Sequence, residues 1–521
     1  MYVDGEINIV RKKIRKNMIR IALIYPSTYE ASLSSLAVHM IYYLVNTFPE
    51  IYMERFIYTD KDVKSIETGS PLKDFDYIVG SIHYELDYVH FINMLYRGGI
   101  EIFRERRKGK PLIFVGGPAP MSNPAPLSEI VDAILVGEIE VLIPRLIEIL
   151  LDYHKDPDRI LERMNENGFF IVKDKRMTKR IWTKDLNQAF YPIRQIQSID
   201  KEPIYGRGLL VESARGCPLW CRFCLEGRLF KPYRIRSFSN LKKIIDKGLE
   251  LNKLNRIIFY SLYFLGSSDE KKILKYIIDE GLKASVPSIR TDLLDDENLD
   301  LIWGIGQRMI TTAPENISSY GERMLCKCHK LSDLATILKK AIKKGFDLKL
   351  YFILGIKGES MNSIRENILF IKSLAKYARN FGRKISITIN PLIPKPKTVF
   401  QWIGMIDLER ARRIVRIVRN ELGGLVETRP YYVNWAWVQA SIALGDWKVS
   451  RILVEWSLMG GGLGNWRKII KEYSYSTKYV FNGWEYGKDL PWDYIVIGEY
   501  VEDVLEKEYI VVRKLLSITS D

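Results

Sequence analysis

The chain is poor in cysteine and histidine and has no long apolar run. With 5 cysteines and 5 histidines in 521 residues, a disulfide framework is excluded as the source of its stability. Nowhere does the sequence approach the ~18–20 consecutive apolar residues of a membrane span. Residues 1–20 are charged and lack the apolar core of a signal peptide. These absences lead us to expect a cytoplasmic protein, in a reducing compartment. No G-x-G-x-x-G follows the first apolar strand, which disfavours a dinucleotide site. Internal repeats and low-complexity segments are absent as well.

What is present is a large apolar fraction and an excess of positive charge. At 47% hydrophobic, the chain can bury large cores, and its length suggests two to four domains. Its 79 basic and 63 acidic residues leave a formal charge of +16. Such a field favours anionic partners such as RNA or phosphorylated lipid head groups. A Lys- and Arg-rich thermophilic proteome would produce the same surplus.

Three of the cysteines fall within eight residues. Cys217, Cys221 and Cys224 form C-x3-C-x2-C, with Phe223 before the last and an apolar run at 209–212 before the first. Three thiolates on one loop can hold three corners of a [4Fe–4S] cube, since such clusters are normally held by cysteine. The fourth iron then lacks a protein ligand, which favours chemistry at the metal over electron storage. Structural zinc would want four ligands in paired spacings. The only other cysteines are Cys326 and Cys328, and Cys326-x-Cys328-His329 reads as small side chains near a helix start.

Along the chain, apolar runs at 20–25, 75–80, 111–117 and 133–137 read as buried strands. Helical patterns at 30–46, 87–96 and 138–151 separate or follow them. This alternation predicts a parallel, doubly wound sheet, with ligands at the strand carboxyl ends, where Gly116, Gly117 and Gly137 fall. The glycines would let a bulky ligand approach the backbone closely. Residues 156–206 read as a linker, mixed, charged and weakly periodic, with 179–192 draped over the surface. Six further strands follow at 209–212, 256–262, 284–290, 308–314, 348–354 and 384–390, predicting a partial (β/α)6 barrel. Glu212, Ser261, Arg290, Glu315, Gly355 and Asn390 lie at their carboxyl ends, where barrels place functional groups. From about 408 the pattern is mainly helical to 472, and a last helix spans about 499–516. Seven tryptophans from Trp435 to Trp492 read mostly as core anchors.

The cysteine motif resembles the radical S-adenosylmethionine (SAM) superfamily. The wider chain is similar to its B12-binding-domain branch through segments 20–42, 71–76, 84–88, 116–124, 287–290, 313–315, 349–355, 390–396, 400–402, 443–466 and 491–494. The resemblance implies an α/β protein in three parts. Residues 1–155 would form a Rossmann-like cobalamin-binding-type domain, 207–405 a radical SAM barrel and 406–521 a mainly helical region. It further implies that Cys217, Cys221 and Cys224 hold the cluster and that Phe223 packs beside the SAM adenine. Gly355 and Gly358 would shape an adenine-supporting turn, Arg290 would meet a carboxylate or the ribose, and Glu315 the ribose or methionyl ammonium. The usual G-G-E after the second barrel strand is replaced by 261–269, which leaves Ser261 or Ser267 for the amino group. The cobalamin motif D-x-H-x-x-G is also missing, and His39, His83 and His90 read as structural. Cobalamin would therefore bind without a histidine ligand or not at all.

The implied reaction is reductive cleavage of SAM to a 5′-deoxyadenosyl radical, with C-methylation if cobalamin is present. A ferredoxin or flavodoxin would supply the electron. The rivals are an RNA-modifying, methylthiotransferase-like enzyme and an enzyme forming carbon–carbon bonds on a lipid precursor. The first usually carries a second cluster, whose three further cysteines this chain cannot supply. From another class, a non-catalytic iron–sulfur or cobalamin-binding protein is the alternative.

Overall fold

The computed structural model of the chain describes residues 5–107, 110–327, 331–498 and 500–518. Cys328 and His329 of the second cysteine motif, and Glu499 at the start of the last helical pattern, lie outside the described residues.

The N-terminal sheet contains β1 (Ile19–Tyr25), β2 (Ile51–Ile57), β3 (Tyr77–Ser81), β4 (Leu112–Gly116), β5 (Ala133–Leu135) and β6 (Phe169–Ile171). Their spatial order is β2-β1-β3-β4-β5-β6, parallel except for antiparallel β6 at one edge. Strands β1 and β3 to β5 coincide with the runs predicted from sequence. Strand β2 escaped notice because Glu54 and Arg55 interrupt its apolar pattern, yet both are buried and paired. Glu54 meets Arg20 at 2.5 Å, and Arg55 meets Glu6 and Glu67 at 2.6 Å each. Strand β6 corrects the linker reading of residues 156–206. Its three residues are buried and belong to the sheet, and Arg180, Leu186 and Tyr191 anchor the chain further on, between exposed residues at 173–177, 184–185 and 187–188.

Helices α1 (Leu36–Val45) and α3 (Ile139–Asp152) cover one face of this sheet, and α2 (Asp87–Arg97) packs on the other.

The central region also consists of parallel strands. Strands β7 (Leu209–Glu212), β8 (Arg256–Tyr260) and β9 (Lys283–Ser285) form one block. A second contains β10 (Met309–Glu315), β11 (Asp347–Ile353), β12 (Ile385–Asn390) and β13 (Glu427–Pro430). Beyond β9, the Ile289 N–H donates to Thr311 O of β10 at 2.9 Å, linking the two blocks. Six strands match the sequence reading; β13 is a seventh, inside the segment read as helical. It is short, charged and half-exposed, so it carries no apolar signal.

Helices α4 (Phe238–Asn252), α5 (Ser268–Asp279), α6 (Leu331–Lys344), α7 (Met361–Asn380) and α8 (Leu408–Leu422) cover one face of these strands. In α4, Leu241, Ile244, Ile245 and Leu249 recur at helical spacing and make the buried stripe. Ser267 caps α5 by accepting from the Glu270 N–H.

The C-terminal helices α9 (Val433–Ala443), α10 (Val449–Leu458) and α11 (Leu463–Glu472) share one core with α2 and one face of the N-terminal sheet. The Asn123 amide donates to Ala443 O and Gly445 O, both at 2.9 Å, across this junction. Trp456, Trp466 and Trp492 are fully buried anchors. No helix of the described residues is long and apolar enough to cross a membrane.

Candidate active site

A cavity of about 1550 Å³ lies between the carboxyl ends of the N-terminal strands and the inner face of the central ones. Gly80, Ser81, Gly116, Gly117 and Gly137 line it from one side; Glu212, Tyr260, Ser261, Thr311, Lys349 and Tyr351 line it from the other. The central strands create this wall by alternation. In β11, Leu348, Leu350 and Phe352 are buried under the helices, while Lys349 and Tyr351 turn inward.

The glycines expected to admit a ligand line the cavity, but the close approach they allow is to the protein's own backbone. A Cβ on Gly117 would sit 2.0 Å from Ile82 O, and one on Gly137 would sit 2.4 Å from Ile181 O. At Gly116 the nearest atom would be Leu135 Cβ at 3.4 Å.

Charged groups bolt the two regions together at the cavity rim. Arg215 meets Glu212 at 2.8 Å, Glu138 at 2.8 Å and Glu140 at 2.7 Å. Glu138 also takes Arg180 at 3.2 Å and Arg234 at 2.7 Å. Burial alone would raise the Glu138 carboxyl, but the three arginines outweigh it and hold the group down at about 2. Lys395 pairs with Glu85 in the same way. Sequence reading missed this network, because its members are distant in the chain and carry no motif.

The histidines divide. Both ring nitrogens of His39 are engaged, with Leu33 O at 3.1 Å and the Ile196 N–H at 3.3 Å. His90 bonds Pro26 O at 3.1 Å and stacks on Tyr58. These two are structural, as expected. His83 differs: it lines the cavity, its ring edge-on to Tyr25 at 6.0 Å. Enclosure by protein lowers its pKa.

The cysteine loop begins just after β7, beside this cavity; Gly216 and Glu226 belong to both. Cys217, Cys221 and Cys224 are free thiols, each half-buried. The Gly227 N–H donates to Cys224 Sγ at 3.3 Å, and Arg290 Nη1 donates to Cys221 Sγ at 3.8 Å. Lys231 holds the loop by donating to Cys217 O at 2.8 Å. The Arg222 N–H donates to Leu325 O at 2.9 Å, tying the loop to the helix Ser319–Leu325.

Burial pushes the Cys224 thiol up to about 12 and raises Cys221 despite the nearby Lys327 and Arg290. Binding to a metal displaces the proton from such a thiol. Among the described residues, no three His, Cys, Asp or Glu side chains converge to hold a single ion. A cube asks for something different, because each thiolate binds its own iron. Three free thiols, an N–H···S bond and flanking cations fit such a cluster.

Of the other expected site residues, Arg290 and Glu315 lie beside this loop. Lys327 Nζ reaches Glu315 Oε1 at 3.0 Å and lies 5.9 Å over the Phe223 ring. Glu315 is therefore in a buried ion pair, with φ of +63°. Arg290 holds Asp292 through Nε at 2.9 Å and Nη2 at 3.1 Å, which leaves Nη1 for the cysteine. Gly355 and Gly358 have positive φ, of +89° and +81°. The N–H groups of Gly355 and Ile356 are both taken by Glu359 Oε2, at 2.7 and 3.0 Å. Ser261 Oγ accepts from the Tyr263 N–H at 3.1 Å. Ser267 is occupied as the α5 cap, while Asn390 Oδ1 is buried with no partner, a polar atom open to a ligand.

Two residues that the sequence did not flag join the constellation. Lys327, inside the discounted second cysteine motif, is one. The other is Glu270, whose carboxyl burial raises to about 7 and which accepts from Ser213 Oγ at 2.6 Å. Cys326 is exposed and serves as the left-handed cap of the helix Ser319–Leu325.

Residues 37–171 match the family model for the N-terminal region of radical SAM proteins, and residues 211–371 match that of the radical SAM superfamily. MJ0966 of Methanocaldococcus jannaschii, described as uncharacterized, is 32% identical over 446 residues, covering 84% of this chain and 91% of its own. MJ0865 of the same organism, named as a candidate methylthiotransferase, is 27% identical over 253 residues, covering 46% of this chain and 52% of its own. Among solved structures, TsrM of Kitasatospora setae, a radical S-adenosylmethionine methyltransferase with cobalamin and a [4Fe–4S] cluster bound, aligns over 71% of this chain and 72% of its own. Its identity is 11% and the TM-score is 0.46. With both family regions in order and a relative matched over nearly its whole length, this chain belongs to the radical SAM superfamily, enzymes that bind a [4Fe–4S] cluster and S-adenosylmethionine.

Proposed function

We propose that the protein cleaves SAM reductively at a cluster held by Cys217, Cys221 and Cys224 and transfers a methyl group to an unactivated carbon of its substrate. When bound, the cluster supplies the electron that breaks the sulfonium bond, giving methionine and a 5′-deoxyadenosyl radical. The chain's own residues bind, orient and exclude water. The observation that carries the reading is the thiol loop opening beside a large cavity, with Arg290 and the Gly227 N–H already directed at its sulfurs.

Phe223 offers an aromatic face to an adenine, and Asn390 Oδ1 an unpaired acceptor. Arg290 and Lys327 offset the negative charge of three thiolates. The Arg215–Glu138 network ties the two regions together at the rim of the cavity beside which a radical would form. Cobalamin would occupy the side of the cavity lined by Gly80, Gly116 and Gly137 and would supply the methyl group of a second SAM, which leaves as S-adenosylhomocysteine, to the substrate carbon from which the 5′-deoxyadenosyl radical has taken hydrogen. An electron-donor protein of the ferredoxin or flavodoxin type completes the reading.

The test is an anaerobic assay of reconstituted protein with dithionite and SAM, with and without cobalamin. 5′-Deoxyadenosine above a Cys224→Ala control supports the cleavage reaction, and cobalamin-dependent S-adenosylhomocysteine supports methyl transfer. Cluster-loaded protein that neither binds nor cleaves SAM would sink the proposal.

A further inference from the structure

A second cavity, of about 670 Å³, lies on the far side of β13, between α8 and the start of α9. Arg412, Arg416 and Arg419 line one wall; Tyr431, Tyr432 and Trp435 line the other. The arginines stand at i, i+4 and i+7, on one face of α8 and about 6 and 4.5 Å apart along its axis. A different face of α8 is the packed one, carrying Ala411, Ile414, Val418 and Leu422. Folding of the helix therefore does not require the arginine row.

The two walls are pinned by Arg412 Nη2, which donates to Asn434 Oδ1 at 2.7 Å. Among the described residues, the Arg416 and Arg419 side chains have no hydrogen-bond or ion-pair partner. Tyr432 is 75% exposed, the most exposed large apolar side chain among the described residues. Tyr431 is anchored from behind, its hydroxyl donating to Gln439 Oε1 at 3.2 Å. One wall is thus a rail of unpaired cations and the other a set of aromatic faces. Asn420 and Asn434 add amide groups to the groove.

We propose that this groove binds single-stranded RNA. Backbone phosphates would run along Arg416 and Arg419, a base would stack on Tyr432, and the asparagines would reach ribose hydroxyls. A positive rail beside sequence-tolerant π-faces is the physical recipe for a single strand. A duplex cannot present its base faces to Tyr432, and an acidic peptide has no flat faces to stack. The groove is separate from the cysteine loop, and the proposal does not depend on the reaction assigned there.

The experiment measures fluorescence anisotropy of the cluster-loaded full chain, without SAM, over a salt series. The probes are a labelled single-stranded RNA 12-mer, its duplex and a polyglutamate peptide. The single strand should bind tightest. Arg416→Glu with Arg419→Glu should weaken it at least tenfold and reduce the slope of log affinity against log salt by about 1.4. Tyr432→Ala should weaken it by about tenfold with the slope unchanged. Arg416→Lys with Arg419→Lys, which keeps the charge, should retain binding and separates a lost site from a misfolded protein. Equal affinity of wild type and the charge-reversed variant, preference for duplex or peptide, or no binding by wild type would each overturn the proposal.

Discussion

The N-terminal and central sheets are both parallel, but they use their two faces differently. Strands β1 to β5 are buried almost throughout, with helices on one face and α2 and the C-terminal helices on the other. Strands β11 and β12 alternate, apart from buried Ile353 at the end of β11: every second residue is buried under helices, and those between are half-exposed. A parallel sheet is normally covered on both sides. Where the second cover is missing, as over the central strands, the face holds Lys349, Tyr351, Ser386, Thr388 and Asn390 in place of aliphatics. One sheet serves as scaffold on both faces, the other gives one face to chemistry.

The sharpest way to break this contrast is at the cysteine loop. Cys224→Ala should reduce bound iron and sulfide, and 5′-deoxyadenosine formation, to background. Cys326→Ala, at an exposed thiol that caps the neighbouring helix and is not among the three proposed ligands, should leave both unchanged. Iron analysis and nucleoside chromatography give the answer.

Next in size are substitutions in the doubly covered sheet and at its junction with the central region. Phe114→Ala empties a fully buried site in β4 and should cost about 3–5 kcal/mol in urea unfolding. Glu138→Gln should cost a similar ~3–5 kcal/mol by stranding Arg180, Arg215 and Arg234 without their shared carboxylate.

A smaller, graded effect is expected from pH. Glu138 is held at about 2 in the folded protein against an ordinary 4.5. Its contribution is therefore complete above 4.5 and is lost as pH falls towards 2. Acid titration of the melting temperature should be shallower in Glu138→Gln than in wild type.

The smallest effect belongs to the open face. Lys349→Ala, in the cavity wall, should change stability by no more than about 0.5 kcal/mol. A loss as large as that of Phe114→Ala would mean that the two sheets are packed alike after all.

Much of this architecture was legible in the sequence where local chemistry sufficed. Short apolar runs marked the N-terminal strands β1 and β3 to β5, because a strand buried on both faces must be apolar along its length. Strand β2, and the buried anchor Arg180 beyond β6, were not legible, because Arg55 and Arg180 are buried through partners elsewhere in the chain. Strand β13 was lost in a helical context, and no sequence pattern indicated that α9 to α11 would share a core with the N-terminal sheet.

The cysteine triad was determined by sequence alone, since thiolate chemistry and loop spacing are local properties. So was the alternation of β11 and β12, which follows from the two-residue period of a strand. Tertiary structure decided what surrounds them. It paired Glu315 with Lys327, turned Arg290 to Cys221, gave the turn N–H groups to Glu359 and brought His83 to the cavity. It also set the arginine row of α8 against Tyr432 and Trp435. Each of these depends on where distant segments meet, and an ion pair or a shared wall leaves no periodicity in the chain that makes it.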